Sequence, residues 1–299
     1  MIAGVLPIIH TAFNEDESID YDSLARQADW AFQVGANGYC TGMASEILKL
    51  TATERMELPA RLVEMSGGRG VVVMSVSAES IRQALEYATA AEQAGCNGVM
   101  AVPPISCALG SDEIVNYYSQ IARHIDIPVI VQDASAYVGK AIDMSVNSRL
   151  IDEFGPEKIL FKPEGEPIGP NLSALREATG GKARIFEGSG GILLLDSYRR
   201  GIAGTMPGME VLDGIVKLWN ALAEGDEETA YRVHFPIASL VAIQMQAGLD
   251  GFLAVEKYLL HKRGIISTTT RRRPYYWEMD PETTAEVDRL FERLMSVVQ

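Results

Sequence analysis

Cysteine is scarce in this 299-residue chain. The three thiols, Cys40, Cys96 and Cys107, form an odd set with no CxxC or metal-type spacing, so a disulfide framework is not expected. A reducing, cytoplasmic setting fits that usage. Histidine is scarce too, with four residues against 40 carboxylates, which speaks against a multi-histidine metal centre. Basic residues are outnumbered 26 to 40, for a formal net charge of -14. Neither a nucleic acid nor an anionic membrane is therefore an expected partner, since each needs a basic face. No run reaches the ~18 consecutive apolar residues of a membrane span, and the N-terminus lacks a basic region followed by an apolar stretch. Also missing are a GxGxxG turn after the first strand, a P-loop and a GxSxG elbow, which leaves dinucleotide binding, phosphate cradling and serine hydrolysis without support.

What is present is an alternation. Short apolar runs begin at Val5, Gly38, Val71, Gly98, Pro128, Ile159, Ala183 and Gly201, and amphipathic segments separate them. Helices are expected from about 20 to 34, from the Thr51–Glu54 capping box onward, and over 79–94, 112–124, 143–153, 171–179 and 190–199. Beyond about 211 the strands stop, and 212–224, 227–246, 250–262 and 281–297 read as helices. Repeated strand–helix units mean a parallel sheet. Eight of them in about 220 residues favour an α/β fold of the closed (β/α)8 TIM-barrel type over an open sheet. The expected division is a barrel over 1–224 and a C-terminal helical region over 225–299. The run Arg271-Arg272-Arg273 reads as a solvated or subunit-facing patch.

In such barrels the site lies at the C-terminal ends of the strands. The residues just after each apolar run include His10, Thr11, Thr41 to Glu46, Gln132 and Asp133, Lys162 to Glu166, Glu187 to Gly190, and Thr205 to Gly208. Lys162 is the single lysine among them. It closes the run Ile159-Leu160-Phe161 and precedes Pro163 and Glu164. An ammonium group among apolar neighbours is poorly solvated, and as a neutral amine it attacks carbonyl carbon to form a Schiff base. The plainer reading is a surface lysine where a strand meets its loop. One buried amine with carboxylates nearby points to imine chemistry on a keto acid. Glu164 is the first candidate for acid–base work, since strand alternation aims it as it aims Lys162. Gln132 is the next catalytic candidate. Met43, Ala44, Ser45, Asp133, Glu187, Thr205 and Met206 are the candidates for substrate contact. Glu164 and Glu187 could equally cap a helix or pair with an arginine. His10 reads as a satisfied histidine at a strand end, and Cys40 and Cys107 as small packing residues.

These residues carry a resemblance. Thr11-Ala12-Phe13, the loop Gly42-Met43-Ala44-Ser45-Glu46, the Leu50-Thr51 to Glu54-Arg55 stretch, Pro103-Pro104, Lys162 and the segment 201–208 together resemble the dihydrodipicolinate synthase and N-acetylneuraminate lyase superfamily. The resemblance implies a barrel with C-terminal helices, a homotetramer, a small 2-keto acid as substrate and no cofactor. It makes Lys162 the Schiff-base lysine and assigns the substrate carboxylate to the backbone N–H groups of Met43 and Ala44. Departures follow. The hydroxyls usual at positions 43 and 44 are absent, Gln132 stands where the synthases carry a relay tyrosine, and their second-substrate arginine falls near Tyr137. Ile105 and Ser106 replace a further tyrosine pair. Condensation with aspartate semialdehyde is therefore disfavoured unless another hydroxyl, such as Tyr137, takes over the relay. Val131-Gln132-Asp133 and Gly204-Thr205-Met206-Pro207 are similar to the superfamily's sugar-acid dehydratases. The implied reaction is dehydration of a 2-keto-3-deoxy sugar acid, such as 2-keto-3-deoxyarabonate to 2-oxoglutarate semialdehyde. The alternatives are a pyruvate-releasing aldolase, a synthase-like enzyme, or a keto-acid-binding protein without chemistry.

Overall fold

The structure, a computed structural model, describes residues 1–298. Eight parallel strands alternate with helices: β1 (Gly4–Val5), α1 (Tyr21–Gln33), β2 (Gly38–Cys40), α2 (Ala52–Ser66), β3 (Val71–Ser75), α3 (Ile81–Gln93), β4 (Gly98–Ala101) and α4 (Ser111–His124) make the first half. The second half is β5 (Val129–Asp133), α5 (Met144–Phe154), β6 (Ile159–Pro163), α6 (Ile168–Ala178), β7 (Phe186–Glu187), α7 (Leu194–Arg199), β8 (Gly204–Thr205) and α8 (Leu212–Glu224). Strands β2 to β6 pair in sequence order, and β1, β8 and β7 form a second ladder. Parallel bridges Ile8 to Cys40 and Phe161 to Ile185 join the two and close the ring. The expected (β/α)8 barrel is the observed fold.

The physical chemistry of the chain explains most of the boundaries. Asp20 caps α1 through the Ser23 N–H, and Thr51 and Glu54 form a reciprocal capping box at α2. On the side of β1 that faces β2, Pro7 has no N–H to donate, and pairing there is confined to the bridge between Ile8 and Cys40. The expected helix over 190–199 begins only at Leu194: Gly190 and Gly191 sit at φ +70° and +101°, outside the right-handed helical region.

Two hydrophobic layers hold the barrel. Ile2, Leu6, Ile8, Cys40, Val73, Met100, Ile130, Leu160, Phe186 and Met206 fill its interior. Alternate strand residues, such as Val129, Val131, Ile159 and Phe161, pack outward under the helices. Cys40 is a buried packing residue as expected, its thiol pushed up to about 12 by burial. Cys107 is not, for it lies exposed in the loop after β4.

Three more helices follow: α9 (Glu227–Gln244), α10 (Gly248–Lys262) and α11 (Pro281–Val298). Residues 227–262 are together long and apolar enough to cross a membrane, yet the run is broken by the turn Met245–Ala247. Helices α9 and α11 pack on α8, while α10 lies against the Met43–Ser45 turn after β2. There Lys257 Nζ meets Glu46 Oε1 at 2.5 Å, both side chains buried. The second Glu46 oxygen accepts the Arg272 N–H at 3.0 Å. The arginine run is accordingly not a free patch. Arg272 grips Glu54 with both terminal nitrogens, at 2.7 and 2.8 Å, and holds that carboxyl down at about 2. Arg271 is buried and donates to the Trp277 carbonyl, so only Arg273 remains exposed. These side chains face inward because the strap over 268–273 runs across the end of α2 and meets its carboxylate there.

Removing one partner of a buried ion pair strands the other charge. Lys257→Met is expected to lower stability by ~3–5 kcal/mol, read as a shift of the urea midpoint. A change under ~1 kcal/mol would mean that the pair contributes little to stability.

Candidate active site

Strand parity sorts the candidate residues. Leu160 belongs to the barrel interior, so Lys162 and Glu164, two and four residues on, point the same way. By the same count Gln132 follows Ile130 inward, Gly188 follows Phe186, and Met206 is itself an interior residue. Asp133, Glu187 and Thr205 have the opposite parity and face away from the axis.

The inward set converges. Lys162 is 3 % exposed and its Nζ lies 3.0 Å from Glu164 Oε1, so the predicted amine is buried but paired with a carboxylate. Glu164 Oε2 accepts the Gln132 Nε2–H at 2.6 Å and the Tyr137 hydroxyl at 3.0 Å. Gln132 Nε2 is also 3.1 Å from the Tyr137 oxygen, which closes a triangle of hydrogen bonds. Enclosure of the phenol and then the Glu164 charge hold Tyr137 well above its ordinary range, so it keeps its proton. Met43, Ala44, Met206 and Gly208 complete the wall around Lys162. The Met43–Ser45 segment is a single 3-10 turn, whose first closed bond runs from the Ser45 N–H to the Gly42 carbonyl. The N–H groups of Met43 and Ala44 precede that bond and are free to meet an anion. Past Tyr137, Glu164 and Phe252 the chamber continues into a largely apolar groove between Ile168, Ile192 and Met245.

The other candidates are structural in this geometry. Asp133 ties down its loop, accepting the Ser135 and Ile142 N–H groups at 2.9 and 3.0 Å. Glu187 accepts the Thr205 hydroxyl at 2.7 Å and the Ser189 N–H at 2.5 Å, bracing β7 to β8. Ser45 holds its turn, donating to the Ile9 carbonyl at 2.5 Å and accepting the Gly42 N–H. None of these four side chains (Asp133, Glu187, Thr205 and Ser45) lines the chamber.

Three residues on the far side of Lys162 escaped sequence reasoning in whole or in part. Glu256 of α10 lines the same chamber, and Glu210 follows β8. His10 Nε2 lies 2.7 Å from Glu256 Oε2, yet neither ring nitrogen has a well-directed hydrogen bond. His10 is thus not the satisfied strand-end histidine expected. Burial, with Lys257 adding to it, lowers His10 to about 4. Burial raises Glu256 to about 8, and burial with the Glu256 charge raises Glu210 to about 7. The close His10–Glu256 contact is therefore a neutral imidazole beside a protonated carboxyl, not an ion pair. Ligand atoms of these three residues lie within 4.8 Å of one another, the one such His/Cys/Asp/Glu group among the described residues. The only sequence signal for it was the position of His10 and Glu210 just after strands; nothing marked Glu256.

A (β/α)8 barrel with a buried lysine among carboxyl groups at its strand ends places the chain in the class of barrel enzymes whose site lies at the strand C-termini. The chain belongs to the dihydrodipicolinate synthetase family, whose model matches residues 1–293. It is 29% identical over 300 residues to the L-2-keto-3-deoxyarabonate dehydratase of Azospirillum brasilense, covering 99% of this chain and 95% of that one. It is 26% identical over 245 residues to a 4-hydroxy-tetrahydrodipicolinate synthase of Methanosarcina mazei, covering 81% and 82%. Among solved structures it is similar to a dihydrodipicolinate synthase from Rhodopseudomonas palustris, with TM-score 0.88, 27% identity and 98% of each chain covered. The protein is a lyase of this family.

Two outcomes are expected. A Cβ on Gly188 would stand 2.6 Å from both Glu164 Oε1 and Lys162 Cε, so Gly188→Ala should abolish imine formation on Lys162 while leaving a folded barrel. Wild-type adduct yields in that variant would show the pair to be tolerant of displacement. The second concerns pH. Glu256 binds its proton more tightly folded than unfolded, so its contribution to stability is lost as pH rises from about 4.5 through about 8. Glu256→Gln should therefore gain in melting temperature relative to wild type across that window, by several degrees at pH 8. A pH-independent difference would contradict the raised carboxyl.

Proposed function

We propose that this chain is a Schiff-base-forming lyase that dehydrates a 2-keto-3-deoxy sugar acid, with 2-keto-3-deoxyarabonate to 2-oxoglutarate semialdehyde as the leading case. The observation that carries the reading is the Lys162–Glu164 contact at 3.0 Å inside a pocket whose other face is a turn of free N–H groups. The keto acid seats its carboxylate on Met43 and Ala44 and its C2 carbonyl on Lys162. Protonated amine plus ketone gives the protonated imine plus water, with no net change of protons. The iminium withdraws electrons from C3, and Glu164 takes the C3 proton to leave an enamine. Gln132 and Tyr137 hold the Glu164 carboxylate in place for that transfer. Return of the enamine electrons breaks the C4–O bond, and the oxygen takes up a proton and departs as water. Loss of a C5 proton, return of a proton to C3 and ketonisation of the resulting C5 enol give the aldehyde, and hydrolysis of the imine frees Lys162.

The full-length similarity to the Azospirillum dehydratase supports dehydration over condensation. One observation favours a second reading. Tyr137 brings a hydroxyl into the site where Gln132 replaced the relay tyrosine, and a phenol there can relay a proton, taking that of a C4 hydroxyl as it passes its own to Glu164. That is the requirement of a pyruvate-releasing aldolase, or of a synthase-like enzyme. A non-catalytic keto-acid-binding protein is the remaining alternative. Cysteine usage suits a cytoplasmic enzyme, and the family resemblance implies a homotetramer without a cofactor.

The test is product analysis with a panel of 2-keto-3-deoxy sugar acids. Semialdehyde without pyruvate is expected, and pyruvate plus an aldehyde would establish the aldolase instead. Lys162→Ala should abolish turnover, and Glu164→Gln should lower kcat by ~10²–10⁴ as the loss of a general base does. Tyr137→Phe should cost less than Glu164→Gln if the phenol only positions the carboxylate, and as much if it moves the proton itself.

A further inference from the structure

Lys162 has a carboxyl group on each side, and the two sides differ in kind. Glu164 receives hydrogen bonds from Gln132 and Tyr137 and faces the Lys162 ammonium. Glu256 enters the chamber from α10 and has no comparable donors: its Oε2 meets only a poorly aligned His10 ring nitrogen, and behind it stands a second carboxyl, Glu210. Glu210 is in turn fixed by Gln244 Nε2 at 2.8 Å. Gly208 makes the arrangement possible, since a Cβ there would collide with Glu210 Oε2 and stand 2.5 Å from Glu256 Oε1. Lys257, the next residue of α10, is turned away onto Glu46 and gives Glu256 no counter-charge. A buried carboxyl that lacks hydrogen-bond donors and stands before a second carboxyl favours its protonated form, although the Lys162 charge works against this. Two carboxyl groups in such unlike surroundings on one substrate are the pattern of an acid and a base with separate tasks.

We infer that Glu256 is the general acid of the reaction, delivering its proton to the C4 hydroxyl as that group leaves, with His10 and Glu210 as positioning residues behind it. The inference rests on the dehydratase reading above. In that step the enamine electrons form the C3–C4 double bond, the C4–O bond breaks, and the oxygen takes the Glu256 proton and departs as water. Glu164 then holds the proton taken from C3 and Glu256 is ionised. A proton passing from Glu164 to solvent and from solvent to Glu256 restores both. No oxidant, metal or co-reactant enters the balance. Burial, which leaves Glu256 protonated up to about pH 8, is consistent with this role.

The test separates the acid from the rest of the site. In Glu256→Gln, borohydride trapping of pyruvate on Lys162 should match wild type, since imine formation does not use Glu256. Turnover of the 2-keto-3-deoxy acid should fall ~10²–10⁴-fold with KM little changed. The 4-fluoro analogue, whose fluoride leaves with little help from a proton, should be processed at near the wild-type rate. Equal losses on both substrates, or turnover of the hydroxy acid within threefold of wild type, would overturn the assignment. Should Glu256→Gln not fold, Glu256→Asp carries the same comparison, with the carboxyl withdrawn by one methylene. For His10 and Glu210 the readout is the basic limb of the kcat profile. Glu210→Gln should move that limb while Lys162, Glu164, Lys257 and Glu46 are unaltered, and an unmoved limb would assign Glu210 to packing alone. Loss of wild-type activity to a chelator, restored by a divalent cation, would also overturn the proposal. Absence of any Lys162 adduct in the wild type would instead overturn the parent reading.

Discussion

Burying a lysine costs several kcal/mol unless a charge of opposite sign comes with it, and the mouth of this barrel is built around that requirement. Glu164 supplies the charge from the same strand end, 3.0 Å from the ammonium. Its own second oxygen then needs donors, and Gln132 of β5 and Tyr137 of the following loop provide them. Gly188 of the β7 loop leaves room for the pair, whose ends occupy the space where a Cβ would stand. One ion pair therefore dictates residues on three consecutive strand ends. In the proposed reaction the substrate carbonyl takes the place of this carboxylate at the amine, so the contact that holds the resting lysine is the one that reaction would break.

The opposite wall follows a different rule. Glu46 is neutralised by Lys257, which pins α10 across the barrel mouth. That anchoring carries the neighbouring Glu256 into the chamber, where it lies against His10 and Glu210. The C-terminal helices are thus part of the site: they close the barrel end and bring in a proton-carrying group that the βα loops do not. For an acidic protein with a formal net charge of -14, the proposed seat for an anionic substrate is one lysine and a turn of backbone N–H groups rather than a basic surface.

The barrel was legible in the sequence because strand and helix periods alternate eight times, and Lys162 with Glu164 was legible because both lie on one strand end at a spacing of two. Parity could have gone further. Counting from Leu160, Ile130 and Phe186 separates the inward Gln132, Glu164 and Gly188 from the outward Asp133, Glu187 and Thr205, but this needs to be known strand by strand. Glu256 was beyond reach for another reason. A carboxylate in the middle of a C-terminal helix looks like any solvated helix face until the Lys257–Glu46 contact sets the rotation of α10. Arg271 and Arg272 were misread as solvated for the same cause, since their partners Glu54 and the Trp277 carbonyl are joined only by the fold.

The central claim is that Lys162 is a covalent nucleophile. It is tested most directly by incubating the folded protein with pyruvate and borohydride and mapping the product by peptide mass. The account requires a reduced pyruvyl adduct on the peptide carrying Lys162 and on no other lysine. An unmodified Lys162 in protein shown to be folded would contradict it, and would leave a keto-acid-binding barrel without imine chemistry.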